Sequence, residues 1–235
     1  FTKIKEGIIV DDYNRLHSYS GSWGDYDNDG DLDLFVANAD GENFLYQNNG
    51  DGSFTKISGN FDIVNALANS RGTSWGDYDN DGDLDLFVAN YHDPNFLYTN
   101  FGNENHWINI KLNGGLINSS AIGAKVRLKA NINGNNTWQM REISGQTGFA
   151  SQNSLNAEFG LGNASIIDSI IVEWSSGVKW DTINVAVDQF LTILDTSIPG
   201  CVDNTPGDEP DIYGNGSYLA CNYDPNAQAN DGSCQ

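Results

Sequence analysis

Residues 22–38 read SWGDYDNDGDLDLFVAN, and residues 74–90 read the same seventeen letters at an offset of 52. Asn43-Phe44-Leu45-Tyr46 recurs as Asn95-Phe96-Leu97-Tyr98 at that same offset. A period near 50 residues, built from short strands and turns, is the pattern of a propeller blade or a similar β-repeat. Ser22-Trp23-Gly24 and Leu32 to Ala37 have the aromatic and β-branched content of strands, with Leu32, Leu34 and Val36 expected on one face. Asn43 to Tyr46 supplies a further short strand, and Asn49-Gly50-Asp51-Gly52 reads as a hairpin turn. No stretch sustains a 3.6-residue apolar period, so little helix is expected.

The segment between those strands is where the chemistry is concentrated. It places Asp25, Asp27, Asp29, Asp31 and Asp33 around Gly30, and Asp77, Asp79, Asp81, Asp83 and Asp85 around Gly82. Carboxylates at alternate positions of a tight loop can converge on one point, and the glycine permits the positive φ that turns the chain there. Calcium wants about six to eight oxygens at about 2.3–2.6 Å in a flexible shell, which suits such a loop. The expected side-chain ligands are Asp25, Asp27, Asp29 and Asp33, with the backbone carbonyl of Asp31. Asp77, Asp79, Asp81, Asp85 and the carbonyl of Asp83 take those parts in the second copy, for two calcium sites. An EF-hand would need a Glu at the twelfth loop position, where Val36 and Val88 stand, both in strand-like sequence. Magnesium fits less well, because it demands stricter octahedral geometry and keeps its waters. Without any cation, the clustered carboxylates would repel one another.

The loops resemble the calcium-bearing FG-GAP or VCBS repeats of integrin-like β-propellers, whose pattern is Asp-x-Asp-x-Asp-Gly-x-x-Asp, at every ligand position in both copies. From about Asn103 a different pattern begins, in which Ile108, Ile110 and Leu112 alternate with Asn109 and Lys111, and Val126 and Leu128 with Lys125, Arg127 and Lys129. Gly and Asn clusters separate these runs from Ile170–Trp174 and Phe190–Leu194, as in a β-sandwich. This part resembles the ASPIC/UnbV domain that follows such repeats in cartilage-acidic-type secreted proteins. HWINIKL, Ala121-Ile122-Gly123-Ala124-Lys125-Val126, Arg141-Glu142-Ile143 and Gly148-Phe149-Ala150-Ser151-Gln152-Asn153 carry the likeness, with Phe159-Gly160-Leu161-Gly162 and Val172-Glu173-Trp174-Ser175-Ser176-Gly177. The last part, with Ala220-Cys221-Asn222-Tyr223-Asp224-Pro225 and Asp231-Gly232-Ser233-Cys234, is similar to short cysteine repeats of bacterial surface proteins. The expected fold is thus all-β: propeller-type calcium-binding repeats at 1–102 in an incomplete ring, a β-sandwich at 103–196 and a small cysteine-stapled module at 197–235.

Two blades cannot close a ring, and open sheet edges invite pairing. Either upstream blades complete it, or neighbouring chains cover the edges. The chain opens on Phe1-Thr2-Lys3-Ile4, the tetrapeptide found again at 54–57, so it is expected to be a piece of a longer precursor whose targeting segment lies elsewhere.

Composition narrows the function. Eleven Lys and Arg stand against 32 Asp and Glu, for a net charge of -21, which opposes binding to nucleic acid or anionic lipid. No apolar run is long enough to span a membrane. Cys201, Cys221 and Cys234 cluster near the end and suggest disulfide chemistry in an oxidising compartment. A zinc site competes weakly, for want of a nearby His or a Cys-x-x-Cys pair. His17, His92 and His106 accompany no nucleophile or metalloprotease motif. Packing is expected for His106, and an ion pair with Glu142 for Arg141. Identical loops do not offer the two different environments that an acid/base pair needs. The expectation is a non-catalytic, calcium-binding structural or adhesive protein, secreted or at the cell surface, that binds an extracellular protein or glycan. The alternatives are a self-assembling fibre subunit joined at open sheet edges, and a glycan-binding module using exposed aromatics such as Tyr91 and Trp138.

Overall fold

The computed structural model describes residues 1–11, 17–59, 61–65, 67–114 and 118–195. The cysteine module expected at 197–235, with all three cysteines, lies outside the described residues.

The repeated sequence folds into repeated sheets. β1 (Ser18–Gly24), β2 (Asp33–Asn38), β3 (Phe44–Asn48) and β4 (Phe54–Lys56) form an antiparallel meander in chain order. β5 (Ser70–Gly76), β6 (Asp85–Asn90) and β7 (Phe96–Tyr98) repeat it with three strands. The registers match: Trp23 lies opposite Leu34 in the first sheet, and Trp75 opposite Leu86 in the second. Gly50 and Gly52 both take positive φ in the β3–β4 turn, where the Asn49 amide donates to the Ser53 carbonyl. Among the described residues, helix is confined to two single turns, α1 (Ile8–Asp11) and α2 (Asp62–Asn65).

Stacking of these sheets buries more of β2 than its sequence suggested. Phe35 and Ala37 are fully buried in one cluster with Leu45, Trp75, Leu86 and Val88, so the far face of the first sheet packs on the near face of the second. The opposite face, Leu34 with Val36, packs with Phe44, Tyr46 and Ile9 of α1. The expectation of one apolar face is therefore corrected to two, because β2 lies between layers. Leu32 precedes the strand, in the loop. No further sheet covers β6 among the described residues, and Phe87, the counterpart of Phe35, is 41% exposed.

Downstream, β8 (His106–Asn113), β9 (Lys125–Ile132), β10 (Asn135–Glu142), β11 (Ala157–Gly162), β12 (Ile167–Glu173), β13 (Lys179–Val185) and β14 (Gln189–Leu194) make two facing sheets, ordered β10-β9-β12-β13 and β11-β8-β14. β14 joins β8 in parallel, while the other pairings are antiparallel. The alternation in β8 and β9 directs Ile108, Ile110, Leu112, Val126, Leu128 and Ala130 inward, where they meet Phe159, Leu161, Ile170 and Val172. This is a sandwich core, filled from both inner faces.

Candidate metal centres

Each acidic loop joins the first strand of its sheet to the second. Asp25 follows β1 and Asp33 opens β2; Asp77 follows β5 and Asp85 opens β6. Asn28 and Gly30 turn the first loop at φ of 56° and 100°, and Asn80 and Gly82 turn the second at 62° and 96°. Asn accepts this left-handed backbone better than most residues, so the Asn-x-Gly pairs shape the loops.

The turning chain gathers carboxylates. Oxygens of Asp25, Asp27 and Asp29 lie within 4.8 Å of one another, as do oxygens of Asp77, Asp79 and Asp85. Asp33 stands outside the first trio and Asp81 outside the second. Asp33 accepts the amides of Tyr26 at 3.2 Å and Asn48 at 2.8 Å, which ties the loop to β3, and Asp85 accepts those of Tyr78 and Asn100 in the same way. Asp81 accepts the Asp83 amide at 3.0 Å. Asp31 N–H donates to Asp29, whereas the Asp83 carboxylate takes the Asn28 side-chain amide at 2.8 Å and so links the two loops.

Burial raises carboxylates in both loops, Asp77, Asp83 and Asp85 in the second among them, and raises them furthest in the first. Burial pushes Asp25 up to about 7, a rise that Asp29 and Asp27 reinforce and Arg141 opposes. Burial likewise raises Asp33 to about 8 and Asp29 to about 6. Asp27 is also raised by burial, even though Gln47 Nε2 donates to its Oδ2 at 2.6 Å. Asp25 Oδ1 and Asp27 Oδ1 are buried without any hydrogen-bond partner. Unpartnered buried carboxylate oxygens are costly, and a hard cation at the convergence of the trio is a chemically fitting partner.

Several residues at these centres were not expected from the sequence to touch the acidic loops. Gln47 braces Asp27, while Thr99 at the matching place in the second copy binds the Tyr78 hydroxyl at 2.7 Å. From the sandwich come Gly160, Glu158 and Arg141. The pairing of Arg141 with Glu142 is corrected: Arg141 turns inward, 3.8 Å from Asp25 Oδ2, and its Nε donates to the Glu158 carbonyl at 3.0 Å. Neighbours along a strand point to opposite faces, so Arg141 and Glu142 diverge. His106 is likewise not a packing residue: it is partly exposed and meets Asp188 at 2.7 Å.

Fold and site together define an all-β protein of tandem acidic-loop repeats docked on a sandwich. Residues 25–88 match the FG-GAP-like repeat family, and residues 114–199 match the family described as ASPIC and UnbV. The chain thus carries an FG-GAP-like repeat followed by an ASPIC/UnbV domain. It is similar to cartilage acidic protein 1 of Xenopus tropicalis, at 35% identity over 66 residues, or 28% of this chain and 10% of that protein. The human and mouse proteins of that name match over the same length at 33% and 32% identity, again across 10% of each. The chain therefore spans only a small part of the relatives it matches. Among the described residues, no helix is long and apolar enough to cross a membrane.

Proposed function

We propose that the two acidic loops each bind one calcium ion, and that the ions hold the repeats rigid in a non-catalytic structural or adhesive protein, secreted or at the cell surface. The observation that carries this is the pair of buried, unpartnered oxygens on Asp25 and Asp27, two residues whose carboxylates gather with that of Asp29. In this proposal Asp25, Asp27, Asp29 and Asp33, with the Asp31 carbonyl, hold the first ion. Asp77, Asp79, Asp81 and Asp85, with the Asp83 carbonyl, hold the second. The likeness to FG-GAP-like repeats supports the choice of metal, and the likeness to cartilage acidic protein 1 supports an extracellular role. The unit boundaries proposed with it are 1–102, 103–196 and 197–235.

Isothermal titration of the whole chain with calcium tests the proposal, paired with thermal melts in calcium and in excess chelator. Two bound ions and a clearly lower melting temperature in chelator are expected, because a ligand specific for the folded state stabilises it by mass action. No heat of binding and superimposable melts would refute it.

A second reading, self-assembly by strand addition, draws on one observation. Among the described residues β7 ends its sheet with no strand beyond it, whereas its twin β3 pairs with β4. A strand from another chain can pair with the free edge of β7. Sedimentation of the purified chain over a concentration series distinguishes a monomer from such an assembly.

A further inference from the structure

The two loops share one sequence, yet the sandwich treats them differently. In the first, Asp25 Oδ2 accepts the amide of Gly160 in β11 at 3.0 Å. Two residues on, the Gly162 amide donates to the Asn28 carbonyl at 2.8 Å. Arg141 of β10 approaches the same Asp25 oxygen. Gly160 permits this contact because it has no side chain; a Cβ there would overlap the Asn28 backbone and Asp25 Oδ2. In the second loop, the Asp77 carboxylate takes its hydrogen bonds from within the loop, among them those from the Asp81 and Gly82 amides at 3.1 Å. The sandwich reaches that loop through the Trp107 indole against Gly82 and through Glu158, which accepts the Asp77 backbone amide. Asp25 and Asn28 are buried, while Asp79, Asn80 and Asp81 are exposed.

We infer that the sandwich braces a ligand carboxylate of the first cation cage but not of the second, so that two cages of identical sequence bind unequally and filling the first locks the sandwich onto the repeats. The inference rests on the calcium reading above. A cation engaging Asp25 Oδ1 fixes that carboxylate in one orientation, with Oδ2 held towards the Gly160 amide of the sandwich. Outer-shell partners of metal ligands typically change affinity by about tenfold or more. The coupling is reciprocal, so docking of the sandwich favours the ion as much as the ion favours docking.

Amide hydrogen exchange during a calcium titration of the whole chain tests this. Exchange at Gly160 and Gly162 is expected to slow about tenfold or more as the tighter site fills. Asp77→Asn should preserve that protection, and Asp25→Asn should abolish it. Calorimetry on the same samples should resolve two affinities at least about tenfold apart. Gly160→Ala should weaken the tighter step and leave the weaker one in place. Two equal affinities, or protection lost equally in both Asp variants, would overturn the coupling while leaving calcium binding intact. Absence of any calcium binding would overturn the calcium reading itself, and this inference with it.

Discussion

Gly82 and Gly52 show how one residue type meets different constraints. Both take positive φ, at 96° and 88°, so any other L-residue is strained at either place. A Cβ on Gly52 meets nothing within 4 Å, whereas one on Gly82 would overlap the Trp107 indole. Gly52→Ala is therefore expected to cost about 1 kcal/mol, from the backbone alone. Gly82→Ala should cost a further 1–3 kcal/mol or so, because the indole or the loop must move. Urea denaturation of both variants in chelator checks the ranking, and equal costs would mean that Trp107 yields freely. Arg141 is the other residue whose surroundings dominate its effect. It is the cation nearest two deeply buried acids, Asp25 and Glu158, both of which burial pushes up to about 7. Arg141→Met keeps the bulk and removes the charge. Leaving buried carboxylates without their partner typically costs about 3–5 kcal/mol, so a large drop in unfolding free energy is expected by the same measurement.

Between elements, sequence identity stops predicting energetics. β3 and β7 open with the same Phe-Leu-Tyr, but Leu45 is 3% exposed and Leu97 is 54% exposed. Leu45→Ala should cost about 2–5 kcal/mol, as for a core leucine, while Leu97→Ala should stay within about 0.5 kcal/mol. Thermal melts of the two variants decide this, and equal losses would mean that the exposed face of β7 is covered in solution. The same contrast marks what the sequence could disclose. Strand positions, the acidic loops and the inward face of β9 follow from local periodicity and turn chemistry, which the chain carries wherever it folds. Phe35 against Phe87, or Trp75 against an exposed Trp23, depends on which layer lies alongside, and no local pattern encodes that. Gly160 and Arg141 were missed for the same reason: their partner Asp25 is more than a hundred residues away in the chain. The two loops were legible as acidic turns, but their inequality is a product of docking.

At the scale of the molecule, charge and burial act together on pH. With no cation bound, Asp25, Asp29 and Asp33 are raised from 3.8 to about 7, 6 and 8, chiefly by burial. Each holds a proton more tightly folded than unfolded, so the folded state binds more protons between those values. Stability of the metal-free protein is then fullest at low pH and falls as pH rises through about 6 to 8. The net charge of -21 acts in the same direction, since protonation relieves long-range repulsion. Salt separates the two effects, because it screens distant surface charges but not the desolvation of a buried carboxylate. In excess chelator and high salt, the melting temperature should still decline from about pH 5.5 to 8.5. Asp25→Asn should flatten that decline by removing one of its buried acids. Saturating calcium should reverse the trend, because the ionised carboxylates are its ligands and binding must displace their protons. Calorimetric melts across this range, with and without the ion, read both slopes. A chelated protein whose stability rose with pH would show that the acidic loops open to water when empty, and that the desolvation argued from Asp25 and Asp33 does not act in solution.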